Sequence, residues 1–157
     1  MNDVHGIEFC PYKSKVDFEQ LQKLFNLCAF WAQNRSIEDL KIAINNSNPV
    51  ITAWDGPKLI GFARATSDGI YRATIWDVII HADYQGQGLG QKLIKLLLRD
   101  PLLVKVEKIY LMTTYQQKFY LRMGFIENNT STMVLGNYEY SQQELNIENL
   151  ETTGIIS

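Results

Sequence analysis

One segment, residues 73–98, constrains the fold more than any other part of the sequence. It begins with an apolar, β-branched run over residues 75–80, which is typical of a strand covered on both faces. A glycine-rich stretch follows at residues 85–90. Beyond it, leucines recur at the spacing of one helical stripe: Leu89, Leu93, Leu96 and Leu97. The segment therefore predicts a buried strand, a tight turn and an amphipathic helix.

The turn has the composition of a phosphate-binding loop. Gly86, Gly88 and Gly90 lack a Cβ atom, so the backbone can turn sharply and approach a ligand closely. The helix that follows presents unpaired N–H groups and the positive end of its dipole. Together these features predict a cradle for a phosphate group.

The remaining patterns predict an α/β (α+β) fold. Asp17 and Ser36 stand where helix N-caps belong, and the first helix is expected to run to about Ala32. Asp55-Gly56 predicts a hairpin that leads into a three-strand antiparallel meander. Further strands are expected at residues 7–9, 109–113, 125–127 and 132–135, with a helix at 116–123. This order predicts a mixed, mostly antiparallel central sheet with about four helices.

Length and composition place the chain among single globular domains. It has 157 residues, 46% of them hydrophobic, and a net charge of −2. We predict one domain over residues 1–140 and a peripheral or mobile acidic tail over residues 141–157. The charge offers no general attraction for nucleic acid or a membrane surface. Neither a membrane span, a signal peptide nor a transit peptide is expected.

The cysteines and histidines of the chain give no metal-ligand pattern. Cys10 and Cys28 lack metal-ligand spacing and are expected to be buried, reduced thiols. His5 and His81 lie far apart in sequence, which argues against a histidine-based metal site. No metal cofactor is predicted.

Three glycine-loop motifs compete for residues 85–90. A Walker loop fails, because Gly90 is followed by Gln-Lys-Leu rather than Lys-Ser/Thr. A dinucleotide fingerprint fails, because the glycines are one residue too close and no acidic residue ends the next strand. The third pattern, Gln/Arg-x-x-Gly-x-Gly/Ala, is met by Gln85, Gly88 and Gly90. In this strand-to-helix position it resembles the acetyl-CoA loop of the GNAT superfamily of N-acetyltransferases.

A second motif, residues 119–125, resembles the segment of GNAT enzymes in which a tyrosine faces the thioester. That residue here is Tyr120, and a phenol of pKa near 10 suits protonation of the departing thiolate. The chain departs from the family seven residues earlier, where Thr113 replaces an asparagine that many members use to bind the cofactor.

The resemblance also implies a bulged strand whose backbone N–H groups contact the thioester. It assigns the acetyl-CoA contacts to the strand end and the glycine loop: Val78, Ile79, Ile80, Gln85, Gly86, Gln87, Gly88, Leu89, Gly90 and Gln91. Asp77 interrupts the apolar strand, where a carboxylate must be paired or hydrogen-bonded. We predict Tyr120 and Asp77 as catalytic residues. Whether Asp77, His81 or water alone accepts the amine proton is left open, as is a structural role for Asp77.

Residues 73–78, 84–90 and 110–114 together are similar to a narrower group, the cyanobacterial and plastid GNAT proteins related to chloroplast serotonin N-acetyltransferases. This implies transfer of acetyl from acetyl-CoA to a primary amine, either an arylalkylamine such as serotonin or a protein amine. It also implies the plastid stroma or the cyanobacterial cytoplasm. The alternative function is a non-catalytic acetyl-CoA sensor, and a homodimer is left open. Five aromatic residues could line an acceptor pocket or belong to the core: Trp31, Phe62, Tyr71, Tyr84 and Tyr115.

Overall fold

The computed structural model describes residues 6–136, which fall into two compact units that divide between Met112 and Thr113. The first unit contains a five-stranded sheet in the order β1-β2-β3-β4-β5. Neighbouring strands pair antiparallel except β4 and β5, which are parallel. The strands are Ile7–Cys10 (β1), Val50–Asp55 (β2), Lys58–Ser67 (β3), Arg72–Ile80 (β4) and Lys108–Leu111 (β5).

Four α-helices are present in the described residues. The first unit holds Phe18–Cys28 (α1), Ile37–Asn45 (α2) and Leu89–Arg99 (α3). The second unit holds Gln117–Arg122 (α4). The predicted fold class, a mixed and mostly antiparallel sheet with about four helices, is confirmed.

Local sequence signals set the starts of α1 and α2. The Asp17 side chain accepts a hydrogen bond from the N–H of Gln20, and Ser36 accepts one from Asp39. The side-chain amide of Gln20 also donates to the carbonyl of Pro57 and accepts a hydrogen bond from the N–H of Leu59, at the β2–β3 turn. The cap of α1 is therefore tied to the sheet it covers.

The two faces of the sheet are covered by different helices. Ile79 packs with the buried residues of α1 and α2, whereas its neighbour Ile80 packs with Leu89 of α3. Because successive strand residues point to opposite faces, α1 and α2 lie on one face and α3 on the other. Strand β4 is thus covered on both sides, as its apolar run predicts.

Some expected boundaries are wrong. Helix α1 ends at Cys28, and Phe30–Ala32 forms a separate 3₁₀ turn. The buried face of α3 includes Ile94, which the leucine stripe omits. Cys10 and Cys28 are free thiols, but both are half-buried rather than buried.

The closing strands expected at residues 125–127 and 132–135 do not form within the described chain. Most of their apolar side chains are exposed, as Ile126 at 87% and Leu135 at 98% illustrate, whereas Phe125 is half-buried against Tyr120. Runs of three and four residues gain too little from pairing with each other to form a hairpin alone. The tail predicted at 141–157 lies outside the described residues. Among residues 6–136, no helix has the length and apolarity needed to cross a membrane.

Gly61 on β3 allows close packing beside the end of β4. A methyl group at Gly61 would lie 2.9 Å from Cδ1 of Ile80 and 3.0 Å from Cβ of Ala53. We expect Gly61→Ala to lower the free energy of unfolding by about 1–3 kcal/mol through overpacking, measured by urea denaturation.

Ile80→Val supplies the control, because it removes the methyl group that the new side chain would meet. The double variant Gly61→Ala/Ile80→Val should lose less stability than the two single losses added together. Simple additivity would contradict the close contact.

Candidate active site

Strand β4 contains a bulge in its second half. The β3–β4 register runs Phe62 opposite Ile79 and then Arg64 opposite Trp76. Ala63 alone therefore faces both Asp77 and Val78, which is one extra residue on β4. The bulge that the family resemblance implies is present at this position.

Asp77 carries the backbone distortion of the bulge. Its φ is +54°, in the left-handed region, and the only other described non-glycine residue with positive φ is Asn34. This region costs most L-residues about 1–2 kcal/mol, although aspartate visits it more readily than most. The bend is therefore held by other contacts.

Those contacts are made by the Asp77 carboxylate, whose side chain is only 4% exposed. Nε of Arg64 donates to Oδ2 at 2.8 Å, and Nη1 of Arg35 donates to the same oxygen at 3.2 Å. The indole Nε1 of Trp31 donates to Oδ1 at 3.0 Å. Three separate parts of the chain thus meet on one side chain.

These partners determine the protonation state of Asp77. Burial raises the pKa of the carboxyl, but the charges of Arg64 and Arg35 and the hydrogen bonds from Arg64 and Trp31 outweigh it. The net effect lowers the pKa below its ordinary value of 3.8. Asp77 stays ionised near neutral pH, and its stabilising contribution is lost only as the pH falls below about 4. These contacts favour the structural alternative over proton acceptance, and the catalytic role of Asp77 stays a prediction.

His81, the other base considered, follows the end of β4. Its Nδ1 accepts a hydrogen bond from the N–H of Asp83 at 3.2 Å, and its ring stands edge-on to Tyr84. One imidazole nitrogen is therefore used to cap the 3₁₀ turn Ala82–Tyr84.

Among the described residues, the second half of β4 has a strand partner on one side only. Strand β5 pairs with β4 only from Arg72 to Ile75, and β5 ends at Leu111. From Trp76 to Ile80, within the described residues, β4 has a strand partner on its β3 side alone. Backbone groups of this stretch, which includes Val78, Ile79 and Ile80, are available to a bound group.

Side chains anchor the loop that leaves β4. The hydroxyl of Tyr84 donates to Oδ2 of Asp55 at 2.6 Å, and Nε2 of Gln85 donates to the carbonyl of Ile80 at 3.0 Å. Lys58 lies over the Tyr84 ring at 5.3 Å. The loop is thereby fixed to the β2–β3 hairpin and to the end of β4.

The glycines have the geometry of an anion cradle. Gly86 and Gly88 have φ values of +78° and +79°, and a Cβ at either would point into open space. Gly88 is the N-cap of α3 and offers no side chain to its first turn. The first-turn N–H groups, which include those of Leu89, Gly90 and Gln91, are left for a ligand. No charged side chain occurs from Gln85 to Gln91, so no carboxylate of this loop would repel a phosphate. The exposed backbone N–H groups therefore fit the phosphates of acetyl-CoA.

Tyr120 lies in the second unit, on α4. Its ring makes edge contacts with Phe119 and Phe125 at centroid distances of 5.0 and 5.7 Å. Burial raises the pKa of Tyr120 to about 12. The phenol therefore keeps its proton through the neutral range. Thr113, in the same unit, accepts a hydrogen bond from the N–H of Gln116.

The sequence left Arg35 and Arg64 unassigned, and it named Trp31 only as an aromatic candidate. Arg64 could have been found from the hairpin register, which places it near Asp77 across the β3–β4 pair. No local signal marks Trp31 or Arg35. Of the other aromatic candidates, Phe62 is a core residue, whereas Tyr71 is 61% exposed. No three His, Cys, Asp or Glu side chains gather into a metal-binding group within residues 6–136.

The Tyr84–Asp55 bond can be tested by titration. The hydrogen bond to Asp55 raises the pKa of Tyr84 above 10, because the carboxylate stabilises the protonated phenol. We expect Asp55→Asn to lower that pKa toward 10. Tyrosinate absorbance would be followed as the pH is raised, with Tyr84→Phe in each background as the control that isolates Tyr84. An unchanged Tyr84 titration in Asp55→Asn would exclude the bond in solution.

Comparison with known proteins identifies the family. The model of the Acetyltransferase (GNAT) family matches residues 18–125. The uncharacterized N-acetyltransferase ycf52 of Gracilaria tenuistipitata var. liui is 40% identical over 128 residues, which cover 75% of this chain and 66% of that relative. The chain thus spans just under two thirds of that relative's length. The chloroplastic GCN5-related N-acetyltransferase 2 of Arabidopsis thaliana is 49% identical over 69 residues, covering 43% and 27% of the two chains.

A solved structure supports the same family assignment as the family model and the two relatives. A putative acetyltransferase from Deinococcus radiodurans R1 superposes with a TM-score of 0.73 at 26% identity, covering 88% of this chain and 94% of that one. The matched family region contains the β4 bulge, the glycine loop and the α4 tyrosine segment. The chain belongs to the Acetyltransferase (GNAT) family.

Proposed function

We propose that this protein is an N-acetyltransferase that moves the acetyl group of acetyl-CoA to a primary amine. The observation that carries the proposal is the continuous segment from the β4 bulge through the glycine loop to the first turn of α3. It offers backbone donors at two places, one suited to a carbonyl oxygen and one to a phosphate. The acceptor is an arylalkylamine, such as serotonin, or a protein amine.

The reaction follows from these groups. The neutral amine nitrogen attacks the carbonyl carbon of the thioester, and N–H groups of Val78 to Ile80 stabilise the oxygen as it becomes anionic. The C–S bond then breaks, the departing thiolate takes a proton from Tyr120, and the resulting phenolate regains a proton from water. The amine loses one proton to water or a basic side chain. Gln85 to Gln91 hold the pyrophosphate, and no step needs a metal.

The location is proposed with the function. The chloroplastic name of the Arabidopsis relative supports the plastid stroma, and the cytoplasm of a cyanobacterium is the alternative location.

The proposal is tested by incubating purified protein with acetyl-CoA and a panel of arylalkylamines, polyamines and peptides while free CoA thiol is measured. We expect turnover with at least one amine, and loss of turnover and of acetyl-CoA binding in Gly88→Val. A β-branched residue in the left-handed region distorts the loop, and its Cβ occupies space meant for the phosphates.

Gly69→Val is the matched control. Gly69 has a similar φ of +80° and equally open surroundings, but it lies in the β3–β4 turn. The Gly69→Val variant should lose as much stability as Gly88→Val yet keep normal acetyl-CoA affinity. Acetyl-CoA binding without turnover of any amine would instead favour a sensor.

Tyr120→Phe tests the proton donor. We expect the rate at saturating substrates to fall by about 10²-fold, with little change in the Kd for acetyl-CoA. Because the pKa of Tyr120 is about 12, its ionisation should cause no loss of rate below about pH 10.

Tyr12→Phe is the control for loss of a tyrosine hydroxyl, since Tyr12 is exposed at 65% and has no proposed role in the site. A large loss of acetyl-CoA affinity in Tyr120→Phe, without a fall in the maximal rate, would make Tyr120 a binding residue.

A further inference from the structure

The cluster formed by Trp31, Arg35, Arg64 and Asp77 is more elaborate than a sheet requires. A buried carboxylate is costly unless it is paired, and a left-handed backbone is costly for a residue with a side chain. Both costs occur at Asp77, which is 4% exposed at its side chain and has a φ of +54°. A glycine would adopt the positive φ at lower cost, and an apolar side chain would be buried at lower cost. The carboxylate therefore serves another purpose.

One set of contacts fixes the bulge itself. Arg64 is the first β3 residue to regain register after the irregularity, opposite Trp76. Its Nε bonds Asp77 at 2.8 Å, while its Nη1 bonds the hydroxyl of Ser47 at 3.0 Å, just beyond α2. Arg64 therefore clamps the bulge from across the strand pair and is itself held at the end of α2.

The other set ties the α1–α2 connection to β4. Trp31 lies in the 3₁₀ turn after α1, and Arg35 lies just before the Ser36 cap of α2. Both donate to the Asp77 carboxylate, at 3.0 and 3.2 Å. The Arg35 guanidinium also lies 5.4 Å from the Phe25 ring on α1. Movement of this connection would therefore break bonds to the residue that precedes Val78.

We propose that Asp77 is a positioning residue, whose carboxylate is clamped by Arg64, Arg35 and Trp31 so that the β4 bulge and the α1–α2 connection keep one fixed arrangement. The inference rests on the proposed function, because β4 is the strand assigned to the thioester. Asp77 acts through the backbone of Val78 to Ile80 and takes no proton from the amine.

Two variants separate this role from that of a general base. Asp77→Asn keeps the shape, the tolerance of positive φ and an acceptor for Trp31, but it removes the charge. Arg35→Gln removes one clamp from the half-exposed rim, where the Arg35 side chain is 36% exposed, and leaves the carboxylate in place. We expect each variant to lower kcat by about tenfold. The double variant should lower kcat no further, since both substitutions disrupt the same cluster of side chains.

The pH profile gives a second criterion. The acid limb of kcat/KM should keep its midpoint in Asp77→Asn, since Asp77 is not the group that titrates there. A loss above about 10³-fold in Asp77→Asn, with nearly normal Arg35→Gln, would make Asp77 the base. Normal kcat in both variants would also overturn the proposal.

A third measurement does not depend on turnover. The indole N–H resonance of Trp31, identified by its absence in Trp31→Phe, should shift in both Asp77→Asn and Arg35→Gln, because each variant changes the charges around its acceptor. An unchanged resonance would exclude the clamp in solution. If no amine is acetylated by the wild-type protein, the proposed function fails, yet this resonance still decides whether the clamp exists.

Discussion

The ion pairs of Asp77 are the interaction on which the first unit depends. A carboxylate that is 4% exposed must be compensated, and its three donors come from β3, from the turn after α1 and from the residue before α2. Each of the three donors offsets part of the cost of burying this charge. Assembly of the helical layer and formation of the bulge are therefore linked through one side chain. Removing a donor leaves a buried charge under-compensated, which is more damaging than the loss of one hydrogen bond.

The same residue divides β4 into two halves with different roles. From Ala73 to Ile75 the strand pairs with both neighbours, β3 and β5. Beyond Asp77 it pairs on one side, and its other backbone groups are free of strand partners among the described residues. Close packing at Gly61 then holds the strand end against β3, where any larger residue would meet Ile80. A rigid, half-paired strand is suited to binding, because its donors are fixed before a ligand arrives.

Much of this arrangement is readable from the sequence, because it depends on local rules. Spacing and residue type alone predict the helix caps at Asp17 and Ser36 and the Asp55-Gly56 turn. They also predict the glycine loop that leads into α3. The partners of Asp77 do not, since Trp31 and Arg35 are separated from it by 46 and 42 residues. The apolar strand indicated only that the carboxylate needs partners. The closing strands failed for the opposite reason: local β-propensity at residues 125–127 and 132–135 is insufficient without a sheet edge that pairs with it.

The two ends of the proposed site therefore use different chemistry. Around the glycine loop, residues 85–91 carry no charged side chain, so attraction for phosphate comes from backbone N–H groups and the α3 dipole. Such a site is encoded by glycine conformations, which leave a short and recognisable pattern. Around Asp77 the geometry comes from side chains that converge from distant positions, and many sequences can achieve such convergence. This difference explains why residues 85–90, read in their position between a strand and a helix, point to the family, whereas no such pattern marks the amine acceptor.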